Sequence, residues 1–156
     1  MVREGHSAQE TVDRLSFANA KAVASSLDSG LVIGADSMVV LEGRPIGKPA
    51  DEEEARRMLR ELRGTNHQVT TGITVIDAAS GRTLTGSMTS DVTLREFSDA
   101  EIEASIASGT PMDKAGAYAV QDQDLRPAAS WDGCYSNIVG LPVCRLLEML
   151  TELGHP

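Results

Sequence analysis

A chain of 156 residues with 41% hydrophobic and 24% charged side chains is long enough for one substantial core and too apolar for wholesale disorder. Its net charge of −9 argues against a general nucleic-acid or anionic-membrane binder, yet leaves room for a small anionic substrate where lysines gather. No apolar stretch approaches the ~18 residues of a membrane span and no signal peptide opens the chain. Cys134 and Cys144 stand in no metal-ligand spacing, so the reading is a cytoplasmic protein in a reducing compartment.

In chain order, Ser7-Ala8-Gln9-Glu10 has capping-box spacing and predicts a helix to about Leu27, with Leu15, Ala18, Ala22 and Val23 as its buried stripe. Lys21, within that helix, reads by default as a solvated lysine. Asp28-Ser29-Gly30 breaks the helix. Leu31-Val32-Ile33 is short, apolar and β-branched, which predicts a buried strand that stops at Gly34-Ala35-Asp36. It would place a carboxylate at a strand's C-terminal end, the side on which open α/β sheets bind ligands. Val39-Val40-Leu41 continues extended, Glu42-Gly43 turns the chain, and Ile46-Gly47-Lys48-Pro49 brings a cation back. An acid and a lysine so placed suit a metal and phosphate oxygens. The same spacing also fits a plain hairpin with a turn aspartate and a solvated lysine.

Asp51 with Glu54 has capping-box spacing again, and Ala55, Met58, Leu59 and Leu62 follow at helical intervals up to Gly64. Residues 67–77 and 83–94 read as the two strands of a hairpin, with His67 at a strand edge. Ser98 with Glu101 opens a short helix anchored by Ile102 and Ile106 and closed by Gly109. In PMDKAGAYAVQ (111–121), small residues around the Asp113/Lys114 pair let backbone approach a ligand closely, although a loop salt bridge has the same pattern. Tyr118 and Tyr135 read as packing residues, and 131–133 as a turn. Leu146, Leu147 and Leu150 mark a last helix ending at Gly154. The sum is one mixed α/β domain.

Three patches taken together, GADSMVVLEGRPIGKPADEEEARRML, TPMDKAGAYAVQ and YSNIVGLP followed by a leucine helix, resemble the Maf family of nucleotide pyrophosphatases. The resemblance spans roughly residues 18–150. It implies an α/β fold like that of inosine-triphosphate pyrophosphatases: a mixed twisted sheet flanked by helices, with a central cleft, often as a homodimer. It also implies hydrolysis of a nucleoside triphosphate to the monophosphate and pyrophosphate with a divalent cation such as Mg2+ or Mn2+. No nucleic-acid or membrane partner is implied. The Asp-Lys-Ala-Gly pattern at 113–116 resembles the branch that acts on dTTP and UTP rather than on methylated GTP.

Residue by residue, Asp36 matches the family's general base in its Gly-Ala-Asp motif. It stands as base, as metal ligand, or as both. Ser37 falls where the family often has Thr and where substrate choice is tied. Lys48 matches the lysine of Gly-Lys-Pro, and Lys21 the lysine of the preceding helix. Gln121 matches a glutamine associated with pyrimidine selection, and Asp113 and Lys114 match the third patch. Glu4 stands for a glutamate that precedes the first helix, as a second metal ligand. The family's opening strand and its Ser-x-Ser-Pro-Arg-Arg loop, whose arginines grip phosphate, have no counterpart here. The expectation is therefore a single Maf-like domain over 1–156, shortened at its N-terminus and exposing apolar surface. A second reading stands beside the enzyme: a non-catalytic nucleotide-binding or septum-formation regulatory protein.

Overall fold

A computed structural model describes residues 6–155, and its helices begin where side chains satisfy the orphan N–H groups of a first turn. Helix α1 (Ala8–Ala24) is opened by Ser7, whose hydroxyl accepts from the Glu10 amide at 3.1 Å while the Glu10 carboxylate accepts from the Ser7 amide at 2.9 Å. Asp51 caps α2 (Glu52–Leu62) through the Glu54 amide at 2.8 Å, but the Glu54 carboxylate accepts from Ala50 instead of closing a reciprocal box. Ser98 and Glu101 close the full box on α3 (Asp99–Ala107).

Five strands, β1 (Leu31–Leu41), β2 (Arg44–Ile46), β3 (Asn66–Asp77), β4 (Thr83–Leu94) and β5 (Ala128–Asp132), form one sheet in the order β2-β1-β3-β4-β5, flanked by helices as expected. Glu42 (φ 50°) and Gly43 (φ 76°) both take left-handed backbone, the requirement of a two-residue hairpin turn that sets Leu41 opposite Arg44 and Val39 opposite Ile46. Residues 131–133, expected as a turn, instead largely belong to β5, which pairs antiparallel to β4 with Trp131 opposite Val92. That strand is exposed along almost its whole length, so no apolar alternation marks it. Two 3-10 turns, Thr110–Asp113 and Ala115–Ala117, precede it; α4 (Tyr135–Val139) and α5 (Val143–Glu152) follow.

The described chain divides into two compact units. The first contains the residues up to Ser37, Thr70–Thr89 and those from Cys134 onward; the second contains Met38–Val69 and Ser90–Gly133.

In the first unit α1 packs on one face of β1 and β3, and its buried side chains are Thr11, Val12, Ser16 and Ala20. Leu15, Ala18, Ala22 and Val23, the stripe expected to be buried, are all exposed. Two glycines explain the rotation. A Cβ on Gly34 would lie 2.4 Å from the Ser16 carbonyl oxygen, and one on Gly72 would lie 2.2 Å from that of Val12. The helix backbone therefore rests directly on the strands, with Val12, Ser16 and Ala20 inward, and the Ser16 hydroxyl meets Thr74 Oγ1 at 3.0 Å. On the other face Ile73 and Val75 bury against Leu146, Met149 and Leu153. Cys134 and Cys144 are joined as a disulfide across the turn between α4 and α5, a pairing that their count and spacing did not reveal.

In the second unit α2 buries Ala55, Met58, Leu59 and Leu62, the four residues its periodicity selects, and packs against α3. Leu94, Phe97 and Ile102 complete a core with almost no exposure. Arg56 bridges the two helices through Glu103, and Arg63 reaches Asp99 at 2.6 Å.

Candidate active site

Asp36 does not end a strand. β1 continues to Leu41, because Val39, Val40 and Leu41 are buried in their turn and extend the ladder past the glycine. The position of Asp36 follows from register. The Gly30 carbonyl accepts from the Ala78 amide at 2.9 Å, and Ser37 Oγ lies 2.8 Å from Thr71 Oγ1, which together set Asp36 opposite Gly72. Alternation along the strand puts Asp36 on the face of Gly34, towards α1, and Ser37 on the opposite face. The two neighbours in the motif thus serve different sides of the sheet.

On the α1 face, Thr70–Thr89 and Thr74–Thr85 hydroxyl pairs, each at 2.9 Å, set Ser87 across from Gly72 on the side away from Asp36. Asp13 approaches that serine, and burial pushes its carboxyl above the usual range while the Ser87 hydroxyl works in the opposite direction. On the other face, the Thr71 hydroxyl donates to the Asn137 carbonyl at 3.2 Å. Thr71 has only one proton to give, so Ser37 must donate to Thr71, which leaves Ser37 lone pairs to accept from a ligand.

Lys21 is not brought to Asp36. It lies over the Phe17 ring, 5.6 Å from its centroid, and lines a shallow cavity with Ser25, Ile76 and Ala78. Ile76 is four strand residues from Gly72, roughly 13 Å at ~3.3 Å per residue. The α1 side chain that does reach this part of β1 is Asn19, whose amide donates to the Ala35 carbonyl at 3.5 Å. A shift of two residues turns a helical side chain by about 200°, which is why the lysine points elsewhere. Glu4 lies outside the described residues.

The second unit assembles the other expected residues. Lys114 Nζ pairs with Asp113 Oδ1 at 3.1 Å. That hydrogen bond and the Lys114 charge hold the Asp113 carboxyl below the usual carboxylate range, with a smaller contribution from Lys48. A backbone bond fixes the approach of the two lysine arms: the Gly116 amide donates to the Gly47 carbonyl at 3.0 Å. Gly116 is left-handed at φ 71°, and a Cβ there would press on Leu62 and Val39 at 3.1 and 3.2 Å. Ala117 follows with φ 62°, a conformation costly for a residue with a Cβ and frequent at ligand sites. Gln121 is exposed on a turn closed by the Asp122 amide donating to the Ala119 carbonyl at 3.0 Å.

His67, expected at a strand edge, is instead fully buried, and its Nε2 lies 2.6 Å from the Tyr118 hydroxyl. Burial lowers its pKa to about 4, so it is neutral, and pushes the Tyr118 phenol up. The Val, Thr and Ile residues of the 67–77 strand give no sign of this pair, since the partner comes from a loop fifty-one residues on.

Among the described residues no group of three or more His, Cys, Asp or Glu side chains is arranged to hold a metal ion. A hard cation that keeps several waters and takes phosphate oxygens needs only one or two protein carboxylates, a demand that Asp36 can meet. No helix among the described residues is long and apolar enough to cross a membrane.

The family described as Maf-like protein matches residues 2–153. A protein of Pelotomaculum thermopropionicum named dTTP/UTP pyrophosphatase is 48% identical over 94% of this chain and 76% of its own length. Proteins with the same name from Dictyoglomus thermophilum and Thermomicrobium roseum are 41% and 45% identical, over 97% and 98% of this chain and 79% and 70% of their own lengths.

Proposed function

Because the chain belongs to the Maf family, we propose that it hydrolyses dTTP- and UTP-type nucleoside triphosphates to the monophosphate and pyrophosphate. The observation that carries this reading is the Gly47–Gly116 backbone bond, which joins the segments bearing Lys48 and Lys114, both of whose charges act on the Asp113 carboxyl. Two cations kept close in a protein of net charge −9 call for an anion, and a triphosphate supplies several. The names of relatives at 41–48% identity support the same substrates.

In this reaction Asp36 accepts the proton of a water that attacks the α-phosphorus, the bond from that phosphorus to the bridging oxygen breaks, and pyrophosphate leaves. Lys48 and Lys114 neutralise the charge that collects on the leaving oxygens. Asp113 orients Lys114 through their ion pair. Ser37 offers lone pairs to a donor of the substrate, and the Gln121 amide can donate and accept at the edge of a uracil or thymine ring. Asp36 would hold a divalent cation such as Mg2+ or Mn2+, which when bound would lower the pKa of a water and add positive charge. Lys21 has no role in this scheme. A cytoplasmic homodimer is part of the proposal, and the exposed Leu15, Phe17, Val23, Leu27 and Ile33 of the first unit support self-association.

The test is pyrophosphate release across dTTP, UTP, CTP, GTP and methylated GTP with Mg2+ or Mn2+. Preference for the first two is expected; preference for a guanosine nucleotide would overturn the substrate assignment.

A further inference from the structure

We propose that His67 and Tyr118 form a buried positioning pair that fixes residues 114–121, and through them the Lys48 arm, in the arrangement that receives the triphosphate. This rests on the pyrophosphatase reading for what is bound, though not for the mechanical role of the pair. The contact is direct: His67 Nε2 and Tyr118 Oη are 2.6 Å apart, the rings meet edge to face with centroids 5.5 Å apart, and both residues are buried. The ring's other nitrogen, Nδ1, is buried with no hydrogen-bond partner among the described residues. An apolar pair of side chains in place of both residues would fill the space without that desolvation cost, so stability alone gives no reason for a histidine and a tyrosine here.

What the pair holds is a segment that opposes its own conformation. Gly116 and Ala117 are consecutive left-handed residues, and Ala117 takes that conformation in spite of its Cβ. Such backbone persists only where flanking contacts over-determine it. On one flank Gly116 donates to the Gly47 carbonyl, one residue before Lys48; on the other Tyr118 is tied to β3 through His67. Lys114 lies two residues before the strained glycine, and the Gln121 turn begins one residue after Tyr118. Releasing the tyrosine therefore lets the segment relax, parts the Gly116–Gly47 bond, and separates the lysines without removing any charged side chain.

The discriminating measurements are amide hydrogen exchange and steady-state kinetics on the full chain carrying Tyr118→Phe, which deletes one oxygen. The Gly116 amide should exchange about tenfold faster relative to the α2 core amide of Leu59, which reports global stability. kcat/KM for dTTP should fall about tenfold, through a raised KM and a lowered kcat, because the separated lysines lose their hold both on the bound triphosphate and on the charge of the leaving oxygens. His67→Gln, whose amide can still meet the tyrosine hydroxyl, should keep Gly116 protected, whereas His67→Leu should expose it. Gly116 exchange that moves only in step with Leu59, with kcat/KM unchanged, would overturn the pair's role. If the wild-type chain turns over no triphosphate, the functional reading fails by itself, and the exchange comparison still decides whether the pair positions the segment.

Discussion

Lowering the pH from 7 to 4.5 charges the His67 ring in the unfolded chain long before it does so in the folded protein. The unperturbed imidazole takes a proton near pH 6.5, whereas burial holds that of His67 down to about 4. The folded pKa is depressed, so the neutral ring contributes stability that is complete above the unfolded value and is lost as pH falls through the folded one. At 1.36 kcal/mol per pH unit, linkage over this window gives a loss of about 2.5 kcal/mol by pH 4.5. That is a large fraction of the roughly 5–15 kcal/mol that stabilises an ordinary domain. Urea unfolding of the wild type and of His67→Gln at the two pH values isolates the effect. Asp13 and the paired carboxylates titrate in both proteins and cancel in the difference. The wild type should lose about 2.5 kcal/mol more than the variant. Parallel losses in the two proteins would refute the argument that the ring is buried neutral.

Gly72→Ala should destabilise the first unit by several kcal/mol, beyond the roughly 1–3 of ordinary overpacking, because the added carbon would sit 2.2 Å from the Val12 carbonyl oxygen of a helix that cannot yield; denaturant midpoints measure it. Ser37→Thr should leave the hydroxyl relay and the nucleotide preference intact. Ser37→Ala should weaken discrimination between nucleotides by about 1 kcal/mol, read as a roughly fivefold change in the ratio of kcat/KM values.

Local rules made much of this architecture legible. Capping side chains lie within three residues of the amides they satisfy, so Ser7, Asp51 and Ser98 announced their helices. Charged residues on three sides of α2 left one apolar face, and that face is buried. α1 offers no such contrast: it carries apolar residues all round, and the face it buries was decided by Gly34 and Gly72 on distant strands. The same rotation sent Lys21 towards the β3–β4 turn and brought Asn19 to Ala35. Asp36 was singled out by its motif, but its strand context was misread because a run of buried residues beyond it prolongs β1. Lys48, Lys114 and Asp113 were legible as chemistry; the Gly47–Gly116 bond, between residues far apart in sequence, brings the Lys48 segment to the other two. His67 read as a strand-edge residue and Tyr118 as packing, because each lacked its partner in the local pattern.

The most direct test of the central claim compares pyrophosphate release from dTTP and UTP by the wild-type chain and by Asp36→Asn, with melting followed in parallel. The substitution keeps the volume and removes the proton acceptor, so release should fall by about a hundredfold or more while the melting temperature stays within a few degrees. Wild-type turnover in the folded variant would contradict the assignment of Asp36 as the base.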